Sequence, residues 1–187
     1  MRLAKEVLWV GVASPGAERC GLWEYDDGWI LEGTAVTAPP GGRPFEARYR
    51  VSCSTGWETR AVDLAVVGGG KERRLGLVAD RGRWWVDAVE RPDLEGCIDV
   101  DLGVSPSTNT LPIRRLDLPV DASAEVAAAW VRFPELEVAR LDQRYTNLGD
   151  GAWRYESGTF SAELLVDSSG LVVRYAGGWE RAAPDFG

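Results

Sequence analysis

Segments in which apolar and polar residues alternate recur along the whole chain, with turn residues between them. The clearest runs from Phe45 to Cys53, where the odd positions are Phe, Ala, Tyr, Val and Cys and the even positions are Glu, Arg, Arg and Ser. Because successive side chains of a strand point to opposite faces, this pattern predicts a strand with one buried and one solvated side. Its recurrence between turn signals predicts a mainly β, antiparallel fold.

The same pattern predicts the order of the other strands. Glu18 to Tyr25 and Trp29 to Thr37 form one predicted hairpin, and Arg74 to Ala79 and Trp84 to Val89 form another. Glu125 to Phe133 combines helix-favouring alanines with strand-favouring Val, Trp and Phe, and we interpret it as a strand. The segments after Leu136 form a closing meander. About ten strands in one antiparallel sheet must curl, which leaves a concave face for helices, loops or a ligand to fill.

Length and composition limit the kind of protein. The 187 residues predict one domain, residues 1–187, large enough to bury a substantial core. The chain has no His, which excludes Ser-His-Asp and Cys-His nucleophile systems and imidazole-ligated zinc. Its 3 Cys are widely spaced, so we expect buried thiols in a reducing compartment, with no metal and no cofactor.

Charge and the N-terminus bear on partners and location. The 21 basic and 29 acidic residues give a net charge of −8, which argues against binding to nucleic acid or anionic membrane surfaces. The apolar run near the N-terminus is interrupted by Glu6 and is short for a signal peptide, so we interpret it as a first strand. No segment approaches the roughly 20 apolar residues of a spanning helix. We therefore expect a cytoplasmic protein without stable membrane insertion.

The stretch from Cys97 to Leu118 concentrates the polar residues that a binding site needs. It opens as a short alternating strand and passes through a loop rich in Ser, Pro, Thr and Asn. A second apolar segment follows, which we expect to be extended and in which Arg114 and Arg115 are adjacent. Loops that carry several polar groups between apolar flanks are common binding sites. Asn109 and its neighbouring hydroxyls can bond sugar hydroxyls or cap their own backbone.

Two pairs of charged residues each allow two interpretations. Asp99 and Asp101, two positions apart on the predicted strand, share a face at roughly 7 Å from each other. They form either the solvated side of that strand or a ligand-facing pair. The guanidinium of Arg114 or Arg115 binds either an anionic ligand or a structural partner such as Asp99 or Asp101.

Aromatic residues are unusually frequent. The 9 Trp are spread through the chain, and most are expected in the core. One or two are expected to line a cavity, where an indole suits a sugar ring or an acyl chain. Trp84 and Trp85 are neighbours on a strand, so they must point to opposite sides.

A longer motif resembles a known family. The string from Ser105 to Leu116, S-P-S-T-N-T-L-P-I-R-R-L, is similar to that of a glycolipid-binding family of bacterial proteins, once a domain of unknown function. The resemblance continues from Trp130 to Leu136, in Gln143 to Thr146 and in the V-D-x-x-G-L-V core of the closing meander. At Ser107 the family leads us to expect an aromatic, and a serine implies a more polar pocket.

The resemblance implies a fold like that of the lipoprotein carriers of the bacterial Lol pathway: an open half-barrel made by a curved antiparallel sheet, with short helices or loops closing its concave side. It also implies non-catalytic binding of a lipid or glycolipid in a hydrophobic concavity, with the polar head near Asn109 to Arg115. The candidate ligand-binding residues are Asp99, Asp101, Asn109, Arg114, Arg115, Trp57, Trp85, Trp130 and Tyr145.

Two other functions fit the residues, and the sequence leaves the oligomeric state open. One is a carbohydrate-active hydrolase that uses Asp99 or Asp101 with Glu135, which requires a carboxyl of raised pKa in a cleft. The other is an interaction module that takes a peptide at an exposed sheet edge or in an apolar groove.

Overall fold

A computed structural model describes residues 1–182, and over that range fifteen strands form a single curved sheet. The strands are β1 (Arg2–Gly11), β2 (Gly16–Tyr25), β3 (Gly28–Thr37), β4 (Phe45–Ser54), β5 (Thr59–Gly68), β6 (Lys71–Asp80), β7 (Arg83–Val86), β8 (Val89–Glu90), β9 (Asp99–Leu102), β10 (Ser123–Arg132), β11 (Glu137–Gly149), β12 (Ala152–Ser157), β13 (Phe160–Val166), β14 (Val172–Tyr175) and β15 (Trp179–Arg181). Helix α1 spans Thr110–Leu116, and short 3₁₀ helices span Pro92–Leu94 and Ser107–Asn109.

The strand order joins the two ends of the described chain at the centre of the sheet. It runs from β8 back to β1, continues through β15, and ends at β9. Strand β1 pairs with β15, and both sheet edges, β8 and β9, therefore come from the middle of the chain. All ladders are antiparallel except β9–β10, which is parallel. A parallel pair needs a crossover connection, and here that connection contains α1.

The sheet confirms the predicted fold class and corrects its details. It is one large curved antiparallel sheet that does not close into a barrel. The predicted strand at Glu125 to Phe133 is β10, and the two predicted hairpins are β2–β3 and β6–β7. The expected number of about ten strands was too low, because several strands of two to four residues are too short to show an alternation. Trp57 lies in the turn before β5, with a φ of 69°.

One face of the sheet is buried over both halves of the chain. Residues that pair across a ladder point to the same side, so a face can be followed from strand to strand. Trp9 pairs with Glu18, and Glu18 pairs with Ala35; all three are fully buried. On the other half the same face carries Tyr145 and Tyr155, which pair with each other. This is the concave face, and the main core lies against it.

Residues 97–118, which we call the inner segment, occupy much of the concavity. Leu102 and Leu111 are fully buried and belong to the same core cluster as side chains from both halves of the sheet. The backbone N–H of Val100 donates to Thr59 Oγ1 at 3.0 Å, and Thr59 N–H donates to Ile98 O at 3.2 Å. The inner segment is thereby fixed against the start of β5. The prediction that short helices and loops close the concave side is confirmed.

The second half of the inner segment is helical, so the expectation of an extended segment was wrong. Leu111, Pro112 and Ile113 are all buried. Pro112 lies in the first turn of α1, where a missing N–H costs no helical hydrogen bond. Asp117, in the left-handed conformation, ends the helix. Among residues 1–182, no helix has both the length and the apolar character that crossing a bilayer requires.

Candidate functional site

A cavity of about 450 Å³ lies between the inner segment and the concave face of strands β10 to β15. Its volume falls within the range of roughly 300–1,000 Å³ that is typical of small-molecule sites. Its lining combines aromatic side chains with a few polar groups. The lining residues are Asp101, Leu102, Gly103, Ser105, Pro106, Asn109, Trp130, Leu141, Tyr155, Ser157, Phe160, Tyr175, Gly178 and Trp179.

The ladder register explains why aromatic rings meet there. Tyr175 pairs with Trp179 across the β14–β15 ladder, and both point to the concave side. Tyr155 lies on the same face, and its ring centroid is 6.0 Å from that of Phe160 and 6.4 Å from that of Tyr175. Trp130, on β10, is half-buried and also lines the cavity. The rings of Tyr155, Phe160 and Tyr175 form one cluster, and together with Trp130 and Trp179 they give the cavity its apolar walls.

Asp101 provides the acidic group of the cavity. Gln143 donates hydrogen bonds from Nε2 to Asp101 Oδ2 and, at 3.1 Å, to Tyr155 Oη. Burial raises the pKa of Asp101 to about 6, and the hydrogen bond from Gln143 opposes this shift. A carboxylate oxygen accepts more than one hydrogen bond, so Asp101 can accept from a ligand hydroxyl as well.

Asn109 is held in a fixed orientation at the same end. Tyr145 Oη donates to Asn109 Oδ1 at 2.9 Å, and Asn109 Nδ2 donates to Pro106 O at 3.1 Å. An amide nitrogen carries two hydrogens, so one N–H of Asn109 remains for a ligand. Tyr145 itself is fully buried and does not line the cavity.

Behind Ser105 the cavity is backed by a buried polar cluster. Ser105 Oγ donates to Glu18 Oε1 at 2.6 Å, and Tyr49 Oη donates to the same oxygen. Ser107 Oγ lies 2.7 Å from Ser105 Oγ. Burial raises the pKa of Glu18 to about 7, while the hydrogen bonds from Ser105 and Tyr49 oppose the shift. Within the described residues, Glu18 Oε2 is buried without a hydrogen-bond partner. The only sign of this cluster in the sequence is a polar residue, Glu18, inside a predicted strand.

The two adjacent arginines have different surroundings. Arg115 binds Asp99 through two hydrogen bonds, of 3.1 and 2.6 Å. Asp99 is only 1% exposed, so the interpretation of Asp99 as part of a solvated strand side was wrong. Burial raises the pKa of Asp99, and the hydrogen bond and charge of Arg115 oppose that shift. Arg114 is exposed, with its guanidinium 5.3 Å from the ring centroid of Trp57. Neither arginine lines the aromatic cavity.

The remaining candidates are dispersed. Trp57 is buried and stacks on Trp29, with ring centroids 4.8 Å apart. Trp85 lies on the convex face beside Arg83, because its neighbour Trp84 points inward and is buried. Of the nine predicted ligand-binding residues, the cavity thus brings together Asp101, Asn109 and Trp130.

Sequence reasoning missed four aromatic residues of the cavity. Alternation puts Phe160 on one face with Ala162 and Tyr175 on one face with Val173, and it is the only signal that could have indicated them. Tyr155 follows the same rule. Trp179 stands at the start of a three-residue strand, which is too short to show a pattern.

A second opening of about 600 Å³ borders the cavity and shares Ser157 with it. Charged side chains dominate its lining, and they are mostly paired with one another. Arg140 binds Asp142 at 3.1 Å, and Arg144 binds Glu125 at 2.6 Å. Arg115 also lines this opening. Among residues 1–182, no group of three or more Cys, Asp or Glu side chains is arranged to hold a metal ion.

Comparison with known proteins agrees with this architecture. The crystal structure of a DUF1089 family protein from Pseudomonas aeruginosa is similar to this chain, with a TM-score of 0.80 and 36% sequence identity over 91% of this chain and 92% of that one. A search of curated proteins found no match. The family model described as "Putative glycolipid-binding" matches residues 6–181. The chain therefore belongs to the "Putative glycolipid-binding" family.

Proposed function

We propose that this protein binds a glycolipid without turning it over and that the aromatic cavity receives the ligand. The observation that carries the proposal is the combination of aromatic walls with a polar end inside one cavity of about 450 Å³. A sugar ring has apolar C–H faces and polar hydroxyls at its edge, so it needs both kinds of surface. Sites with mostly apolar walls and a few placed polar groups are the usual form of small-molecule sites.

The cavity size limits which part of a glycolipid enters. At about 30 Å³ for each water-sized group, the cavity holds roughly fifteen such groups. This is enough for one sugar ring and a short piece of alkyl chain, but too little for a complete lipid with two acyl chains. The inner segment fills much of the remaining concavity, so acyl chains beyond this length extend outside the protein in our proposal.

The hydrolase alternative has less support from the geometry. General acid–base hydrolysis of a glycoside uses two carboxyl groups that flank the scissile bond. Within the described part of the chain, Asp101 is the only carboxyl group that lines the cavity. Asp99 is bound to Arg115, and Glu135 lies in the turn between β10 and β11, where its backbone oxygen accepts from Arg73.

Peptide binding at a sheet edge also has less support. Edge strand β8 has only two residues, and edge strand β9 is covered by Thr59, which bonds to it on its open side. An added strand needs a longer free edge than either of these offers.

Calorimetric titration with octyl β-D-glucopyranoside, kept below its micelle-forming concentration, tests the proposal. We expect saturable binding by the wild-type protein. Leu141→Trp places a large ring in the cavity and should weaken binding about tenfold or more. The control Leu8→Trp adds the same ring at a residue of the convex face that is 37% exposed and should leave binding unchanged.

Two results would contradict the proposal. One is the absence of saturable binding by the wild-type protein. The other is an unchanged affinity in Leu141→Trp, provided that its near-ultraviolet circular dichroism shows a folded protein. Trp179→Ala removes part of the aromatic wall without placing a larger side chain in the cavity, and it provides a second test of the same site.

A further inference from the structure

We infer that the cavity selects an uncharged sugar ring over an anionic head group, and that Asp101 accepts hydrogen bonds from the ring hydroxyls. The inference rests on the proposed function and specifies its ligand class. It replaces the expectation that Arg114 or Arg115 receives an anionic head, because the structure places both arginines outside the cavity lining.

The charges around the cavity support this selectivity. Asp101 is the only charged side chain in the lining, within the described range. An anion that entered would lose its hydration next to a carboxylate and would gain no cationic partner there. The net charge of the whole chain, −8, also repels an approaching anion.

Two arginines beside the cavity, Arg115 in the adjoining opening and Arg132 next to Trp130, are already bound by carboxylates. Arg115 binds buried Asp99 with a 2.6 Å contact, so moving it to a ligand would leave that carboxylate without its partner. Arg132, whose guanidinium lies 5.5 Å from the ring centroid of Trp130, is bound by Glu137. Neither arginine is available to an anion without breaking an existing ion pair.

The polar groups of the lining match a hydroxyl in both of its roles. Asp101 accepts one hydrogen bond from Gln143 and has further acceptor sites. Tyr155 Oη accepts from Gln143 at 3.1 Å, which leaves its own O–H as a donor. Asn109 has one N–H left after its bond to Pro106. A sugar hydroxyl both donates and accepts, so it can use the acceptor and the donors together, whereas an anion can use only the donors.

A cationic head group is the other ligand that a carboxylate and aromatic rings could take. The surroundings of Asp101 favour the uncharged ring. The lining also presents two donors, the O–H of Tyr155 and one N–H of Asn109, and an ammonium group has no acceptor for either of them. Gln143 already satisfies one oxygen of Asp101 with a neutral donor. The hydroxyl of a sugar is a neutral donor of the same kind, and it can bond a remaining acceptor site of Asp101.

Four amphiphiles with the same eight-carbon chain test the inference by calorimetry at pH 7.5. They are octyl β-D-glucopyranoside, octyl β-D-glucuronide, octyl sulfate and octyltrimethylammonium. We expect the wild-type protein to bind the glucoside at least about tenfold more tightly than each of the other three. Asp101→Asn should weaken glucoside binding by about tenfold. It should also reduce the preference for glucoside over glucuronide, because the repelling charge is gone. Asp63→Asn, at an exposed position of β5, is the matched control and should change nothing.

The outcomes separate the two claims. If octyl sulfate or the glucuronide binds as tightly as the glucoside, the selectivity inference is wrong and binding of an amphiphile stands. The same holds if the trimethylammonium compound binds more tightly than the glucoside. If none of the four binds saturably, the proposed function fails as well. Because the comparison among probes uses the wild-type protein, it remains decisive even if Asp101→Asn does not fold.

Discussion

The buried carboxyl of Glu18 should make the stability of this protein depend on pH in a way that one substitution removes. Glu18 is fully buried, and its pKa is raised from 4.5 to about 7. Below about pH 4.5 the group is protonated in both the folded and the unfolded state. Between about pH 4.5 and 7 the unfolded chain loses the proton while the folded protein retains it, so the free energy of unfolding falls as the pH rises. Above about pH 7 the carboxyl is ionised in both states, and the free energy of unfolding falls no further on this account.

The size of the effect follows from the difference between the two pKa values. A difference of about 2.5 units, at 1.36 kcal/mol for each unit, corresponds to about 3 kcal/mol. Glu18→Gln keeps an oxygen for the hydrogen bonds from Tyr49 and Ser105 and cannot ionise. Relative to the wild type, the variant should therefore gain about 3 kcal/mol in free energy of unfolding between pH 4.5 and pH 8.

Urea unfolding followed by tryptophan fluorescence at several pH values measures this gain. The relevant quantity is the difference between variant and wild type, because other carboxyl groups contribute equally to both curves. Glu163→Gln, at an exposed position of strand β13, serves as the control and should give a difference that does not change with pH. A pH-independent difference for Glu18→Gln would refute the reasoning and would mean that burial does not disfavour the charged form of this carboxyl.

Three further predictions concern the core. Arg115→Ala should lower the free energy of unfolding by about 3 kcal/mol, because it leaves a buried carboxylate unpaired. Arg114→Ala is the control and should lower it by about 1 kcal/mol or less. Equal losses for the two variants in urea unfolding would contradict this prediction. Gly33→Ala should lower the free energy of unfolding by roughly 1–3 kcal/mol, since the new Cβ would lie 2.4 Å from the ring of buried Tyr49. The control Gly76→Ala, whose Cβ would have its nearest atom at 3.8 Å, should lower it much less. The three cysteines are buried and should react with Ellman's reagent only in urea; rapid reaction of the native protein would disagree with their burial.

Strands of the first half could be predicted because each has one solvated side. In β4, from Phe45 to Ser54, buried and less buried residues alternate along the whole strand, so the sequence carries a signal of period two. In β9 that signal fails as a guide to burial. Asp99 and Val100 are adjacent and both are only 1% exposed, because the inner segment is enclosed on both sides. A strand that is covered on both faces allows a charged residue to be buried wherever a partner such as Arg115 is supplied.

The helix and the cavity depend on contacts that are remote in the chain. Helix α1 has seven residues, just under two turns at about 3.6 residues per turn, so no helical period can develop. The cavity needs β15 beside β14 and β1, and that arrangement results from the pairing of the two ends of the described chain. No local pattern near Trp179 indicates it. The resemblance of residues 105–116 to a glycolipid-binding family was the more informative signal, since it pointed to the segment that carries Ser105 and Asn109.

The most direct test of the central claim is a titration with octyl β-D-glucopyranoside, observed through the indole N–H signals of ¹⁵N-labelled protein. Trp130 and Trp179 line the cavity, so their signals should shift in a saturable manner. Trp9 and Trp84 donate their indole N–H groups to buried carbonyls at 2.7 and 2.8 Å, and their signals should stay in place. Shifts confined to Trp85 on the convex face, or no saturable shift at Trp130 and Trp179, would contradict the account.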